Sequence, residues 1–158
     1  MTFSELFDDA AATALEDVKS GRFDLQSEKD IQAIIFHHAA RKAQDLGLPL
    51  NLHAEPTKVE RRPDLVFGEQ EVFVECKLSK GSIGGYTDAI KKWREDIEKL
   101  RRYKSQWPMA RCVFVAVDEV GYHSNPSSKN YFDPAAEQLT GKWAQLDASG
   151  RYLLAEVP

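Results

Sequence analysis

Two acids and a lysine lie close together near the middle of the chain. They are Asp64, Glu75 and Lys77, within the stretch RRPDLVFGEQEVFVECK over residues 61–77. Paired carboxylates suit a divalent cation, and Mg²⁺ is commonly held by one or two of them together with waters and a substrate phosphate. A cation so held lowers the pKa of a bound water and screens a phosphate, while a neighbouring lysine stabilises charge that develops in the transition state. These residue types therefore fit metal-assisted phosphodiester hydrolysis, if the fold brings them together.

The intervening pattern predicts that it does. Leu65, Phe67, Val72, Val74 and Cys76 alternate with the other residues at the strand period of two. Between the runs, Gly68-Glu69-Gln70-Glu71 is polar, holds a glycine and suits a hairpin turn. A turn centred between Glu69 and Gln70 sets Asp64 opposite Glu75 and Arg62 opposite Lys77. The apolar residues then share the core face, and the other face gathers all four charged side chains. Opposed carboxylates destabilise a strand pair, so a positive group belongs between them. Lys77, on the same face as Glu75, is one source of that charge, and a divalent metal is a better one. A slip of one residue would send one strand's side chains to the opposite face.

Pro63-Asp64, then ten residues, then Glu75-Cys76-Lys77 resembles the signature of the PD-(D/E)xK nuclease superfamily, which has the restriction-endonuclease-like fold. The resemblance implies Asp64 and Glu75 as metal ligands, Lys77 as the catalytic lysine, and the Cys76 backbone carbonyl as a further ligand to Mg²⁺ or Mn²⁺. It implies a nucleic-acid substrate, DNA ahead of RNA. In the family a glutamate on the helix preceding the sheet often joins the metal site. Glu28 matches that role by order along the chain, and a first-turn acid is equally well explained by the helix dipole. The family's helix after the hairpin often adds a Lys or Gln, for which Lys91 and Lys92 are the candidates.

The elements that must position these residues read as follows. Phe3, Leu6, Phe7, Ala10, Ala14 and Val18 recur at helical spacing and predict a helix over 2–19. A second is expected over 27–46, capped by Ser27 with Asp30 and closed by Gly47 and Pro49. A strand follows over 50–55, with His53 on the face opposite Leu50 and Leu52. The glycine-rich stretch 78–88 reads as a mobile loop carrying Lys80. A helix over 87–105 has Ile90, Trp93, Ile97 and Leu100 as its buried stripe, and its charges read as a solvated, internally paired surface. RCVFVAV, over 111–117, reads as a strand buried on both faces, completing a βαβ crossover from the Glu75 strand. A short helix is expected over 134–139, and RYLLAEV as a strand paired with KWAQL. The class is α/β: a central mixed sheet with flanking helices, an αβββαβ core over about 27–117 and an extra N-terminal helix, in one domain spanning 1–158.

The formal net charge is −4 and the pI about 5.6, whereas a nucleic-acid binder is expected to show a basic footprint. A nuclease of this charge needs a localised basic patch, a partner subunit (in a homodimer or otherwise) or a tight requirement for metal. Arg61, Arg62, Lys80, Arg101 and Arg102 are the patch candidates, and Arg101, Arg102 and Lys104 read as lacking nearby acids. Cys76 and Cys112 sit in apolar runs as small buried hydrophobes rather than a disulfide. No run approaches the roughly 18 apolar residues of a membrane span. The first residues carry acids where a secretory leader carries bases, so a cytoplasmic location is expected. The expected function is a Mg²⁺-dependent nuclease. The alternatives are a non-catalytic binding or assembly subunit of the same fold, or an unrelated α/β domain whose hairpin charges are structural.

Overall fold

Helix α1 (Phe3–Lys19) and helix α2 (Glu28–Asp45) both begin at a capping box, Thr2 with Glu5 and Ser27 with Asp30. These boxes satisfy amide groups that a helix start would leave unpaired. The computed structural model describes residues 1–49, 51–55, 62–80 and 86–158. After the two helices come β1 (Leu52–Ala54), β2 (Leu65–Phe67), β3 (Val72–Ser79), α3 (Tyr86–Gln106), β4 (Arg111–Asp118), β5 (Trp143–Gln145) and β6 (Arg151–Glu156).

The strands form one six-stranded mixed sheet in the order β1-β2-β3-β4-β6-β5. β1, β2 and β3 pair antiparallel, β3 and β4 run parallel across the α3 crossover, and β6 returns antiparallel between β4 and β5. Alternation along the strands splits the core in two. Leu65, Phe67, Val72, Val74, Cys76, Val113, Val115 and Val117 pack with α1 and α2 on one face. Val66, Phe73, Cys112, Phe114 and Ala116 pack with Trp93, Ile97 and Leu100 of α3 on the other. With both faces covered, β4 is apolar from Cys112 to Val117, as central strands of such sheets are, while β3 is apolar from Val72 to Val74 and then carries Glu75 and Lys77.

The expected α/β class and mixed sheet are present, and both N-terminal helices, α3 and β4 fall within a residue or two of expectation. Three elements differ. β3 runs on through Leu78 and Ser79, pairing with Val117 and Asp118 where a loop was expected. β1 is three residues, because Glu55 turns out of the strand at a φ of +47°; Leu50 lies outside the described residues. Residues 134–138 make turns rather than a helix, and Gln138 takes a φ of +57°, which a continuing helix forbids. No helix among the described residues is long and apolar enough to cross a membrane.

One glycine limits how the last strands close. Gly141 sits at a φ of +147°, and a Cβ there would run into the Leu154 carbonyl oxygen and lie 2.8 Å from the Ala155 Cα. Those neighbours are backbone atoms of β6, which cannot rotate away. Gly141→Ala should therefore cost roughly 2–4 kcal/mol of stability through combined backbone strain and overpacking. A chemical-denaturation midpoint equal to that of the parent would contradict this.

Candidate functional site

The hairpin has the expected register. Leu65 pairs with Val74, Val66 with Phe73 and Phe67 with Val72, so Asp64, one residue before β2, comes opposite Glu75. Asp64 Oδ2 accepts a hydrogen bond from the Cys76 amide at 2.6 Å, which fixes the carboxylate against the strand. The N–H and C=O of one strand residue leave the same side of the strand, so the Cys76 carbonyl also points toward Asp64. The Cys76 side chain is fully buried in the opposite core, as expected.

The rest of the expected face is corrected. It is not a wet surface, because Val66 and Phe73 also lie on it and α3 covers it. Glu75 is therefore only 1% exposed. Pairing ends at Leu65, and Arg62 has a φ of +34°, so the expected Arg62–Lys77 pair does not form part of the ladder.

Helix α3 supplies what the sequence reading missed. Lys99 Nζ lies 2.7 Å from Glu75 Oε1 and 3.5 Å from Asp96 Oδ1. Lys77 does not sit between Asp64 and Glu75; its Nζ lies 2.6 Å from Asp96 Oδ2 and 3.1 Å from Glu28 Oε2. The charges thus alternate from Glu75 through Lys99, Asp96 and Lys77 to Glu28, with Asp64 beside Glu75. Formally this sets four carboxyl groups against two ammonium groups. The signal for the helix residues was present in their spacing. Asp96, Lys99 and Tyr103 share one side of α3, flanking the stripe of Trp93, Ile97 and Leu100, so packing that stripe on the sheet brings them to the strand acids.

Burial dominates the electrostatics. It raises the Glu75 pKa to about 9, with the Asp64 charge adding to the shift and Lys99 opposing it. Asp64 is also raised, by burial, against the Cys76 amide and the two lysines. Burial alone would lower Lys77, but the Asp96 and Glu28 carboxylates outweigh it and hold the ammonium above the usual lysine range. The Tyr103 hydroxyl is raised by burial and then by the charges of Glu75 and Asp64.

The other sequence candidates divide. Glu28 points at Lys77 and reaches the cluster through that lysine, with its side chain 43% exposed. Lys91 and Lys92 are exposed on α3, and the helix lysine that meets the site is Lys99. Lys80 is engaged by the Leu25 carbonyl and lies 3.7 Å from Glu119. Arg101 does have nearby partners, the Glu98 carboxylate and the Glu137 carbonyl, and Lys104 donates to the Ala110 carbonyl. Arg102 is exposed, as is Arg62; Arg61 lies outside the described residues. His53 is exposed and meets Asn51, while His38 pairs with Asp17 at 2.8 Å. Asp118, at the end of β4, is buried and accepts from the His123 and Ser124 amides at 2.8 Å each, so it holds the following loop.

Among the described residues no group of three or more His, Cys, Asp or Glu side chains could hold a metal ion. The oxygen donors that the hairpin brings to one place are the Asp64 and Glu75 carboxylates and the Cys76 carbonyl. Both acids are penalised when ionised by burial, and Glu75 also by the charge of Asp64. A divalent cation held there would relieve those penalties. No family model matches the chain, and neither a curated protein nor a solved structure matches it.

The raised Glu75 pKa gives a signed pH dependence. Between its ordinary value of 4.5 and about 9 the folded protein holds a proton that the unfolded chain releases. The stabilisation is therefore complete below the unfolded value and is lost as pH rises through the folded one. In metal-free buffer the melting temperature should fall from pH 5 to pH 9, and Glu75→Gln should flatten that fall by about one proton's contribution. An unchanged slope in the variant would place the titration elsewhere.

Proposed function

We propose that the chain is a Mg²⁺-dependent nuclease with a restriction-endonuclease-like core, hydrolysing phosphodiester bonds in DNA. The observation that carries this reading is the meeting of Asp64, Glu75 and the Cys76 backbone on adjacent strands, with Lys77 beside them. Asp64, Glu75 and the Cys76 carbonyl would hold Mg²⁺, which when bound supplies a water of lowered pKa and screens the phosphate. The Cys76 amide keeps Asp64 turned into the site. Burial under α3 keeps bulk water from Glu75, which strengthens every charge interaction it makes. Lys77 stays protonated and offers its ammonium hydrogens to a phosphate oxygen as negative charge builds there. Substrate approaches from the side of Glu28, whose carboxylate is the more exposed of the two that hold Lys77.

One observation favours the second reading, a non-catalytic binding or assembly subunit. Both lysines are already paired with carboxylates, Lys99 between Glu75 and Asp96 and Lys77 between Asp96 and Glu28. Such a network is self-sufficient as a structural device, and replacing one member would then change stability alone.

Melting with and without Mg²⁺, run beside a plasmid-nicking assay, separates the two. For a nuclease, Mg²⁺ at a hundred times its Kd should raise the parent's melting temperature by roughly 5–10 °C. Asp64→Asn should lose both that rise and nicking. It should melt no lower than the parent in metal-free buffer, because Asn still accepts from the Cys76 amide and removes a partly buried charge. Lys77→Ala should keep the metal-dependent rise and lose nicking. A parent that neither gains stability from Mg²⁺ or Mn²⁺ nor cuts DNA or RNA decides for the binding subunit.

A further inference from the structure

Asp96 lies between the two lysines of the cluster. Its Oδ2 lies 2.6 Å from Lys77 Nζ and its Oδ1 3.5 Å from Lys99 Nζ. With both oxygens facing ammonium groups, it is badly disposed to hold a cation. It is well disposed to hold a lysine. Its neighbour in sequence, Ile97, is fully buried, as is Leu100 one turn on, and Trp93 is 2% exposed one turn before. The backbone that carries Asp96 is therefore clamped to the sheet.

Lys77 needs such an anchor. A lysine carries a compact, strongly hydrated charge on a flexible four-carbon stem, and one partner leaves it free to swing. Here two carboxylates on different helices hold it, Asp96 of α3 and Glu28 of α2. They are not equivalent. The Asp96 contact is shorter, 2.6 Å against 3.1 Å, and its side chain is 20% exposed against 43%. An incoming phosphate can replace Glu28 on the ammonium while Asp96 keeps its place.

We propose that Asp96 is a positioning residue for phosphodiester hydrolysis, holding Lys77 where the phosphate must arrive and taking no part in binding the cation. Glu28 is the exchangeable partner that substrate displaces. The proposal rests on the nuclease reading of the same site, and its test is built to fail separately from it.

The test measures Mg²⁺-dependent melting and steady-state cleavage for the parent, Asp96→Asn and Asp96→Glu. The substrate is whichever of supercoiled plasmid, linear duplex, single-stranded DNA and RNA the parent cuts fastest. Asp96→Asn should lower kcat roughly a hundredfold, the scale expected when a reacting group is misplaced by about 1 Å. KM and the Mg²⁺-dependent rise in melting temperature should stay at the parent's values. Asp96→Glu restores the carboxylate on a longer stem and should recover part of kcat. If Asp96→Asn does not fold, Asp96→Glu carries the test with a lowered kcat at unchanged metal response. A parental kcat per folded molecule in the variant that is tested overturns the positioning role, as does loss of the Mg²⁺ response. A parent that neither responds to Mg²⁺ nor cleaves overturns the nuclease reading first, and the role of Asp96 falls with it.

Discussion

A carboxyl group buried in the middle of a sheet strand is the constraint on which much of this structure turns. Glu75 lies on β3, between β2 and the parallel strand β4, and beneath α3. Burial favours its neutral form, and α3 presents Lys99 to it at 2.7 Å. A buried polar group left without its partner costs more than the contact contributes. The helix must therefore dock in one rotation and one register, so that the ammonium reaches the acid while Trp93, Ile97 and Leu100 fill the core. Apolar burial drives the docking, and the Lys99–Glu75 contact selects among its alternatives.

The hairpin was legible because strand alternation and a turn signal carry register information within a short stretch. The turn centre between Glu69 and Gln70 sets Asp64 against Glu75, and the pairing of Leu65 with Val74 follows the same sum. The helices were legible from their stripes and from the capping pairs Thr2–Glu5 and Ser27–Asp30. What lay beyond reach was the second cover on the sheet. The hairpin's own sequence puts Val66 and Phe73 among the charged residues of one face, and only α3 reveals why. The same blindness made Asp96 and Lys99 look like surface charges pairing with one another. A helix residue beside the buried stripe is on the boundary, and its fate depends on what the opposing strand offers.

Arg101 turned out to have an acid beside it for a related reason. Arg101 and Lys104 look unopposed along the chain, but Glu98 sits one turn before Arg101, and the carbonyls of Glu137 and Ala110 come from elsewhere in the fold. Main-chain carbonyls are not visible as acceptors in a list of side chains. In the same way Asp118, placed like a strand-end site residue, spends one oxygen on the amides of His123 and Ser124 and secures the loop after β4.

The division of the charged cluster between β2–β3 and α3 bears on portability. Asp64, Glu75 and Lys77 form a contiguous segment that could be copied into another hairpin, but Lys99 and Asp96 arrive through a parallel crossover. Copied alone, the segment would expose Glu75 to water, return it toward the behaviour of an ordinary surface glutamate and leave Lys77 on an untethered stem. A transferable unit must include β2, β3, α3 and β4, and α2 as well if Glu28 is to keep its hold on Lys77. A designer grafting this charged cluster, or a genome shuffling it, would have to move strand and helix together.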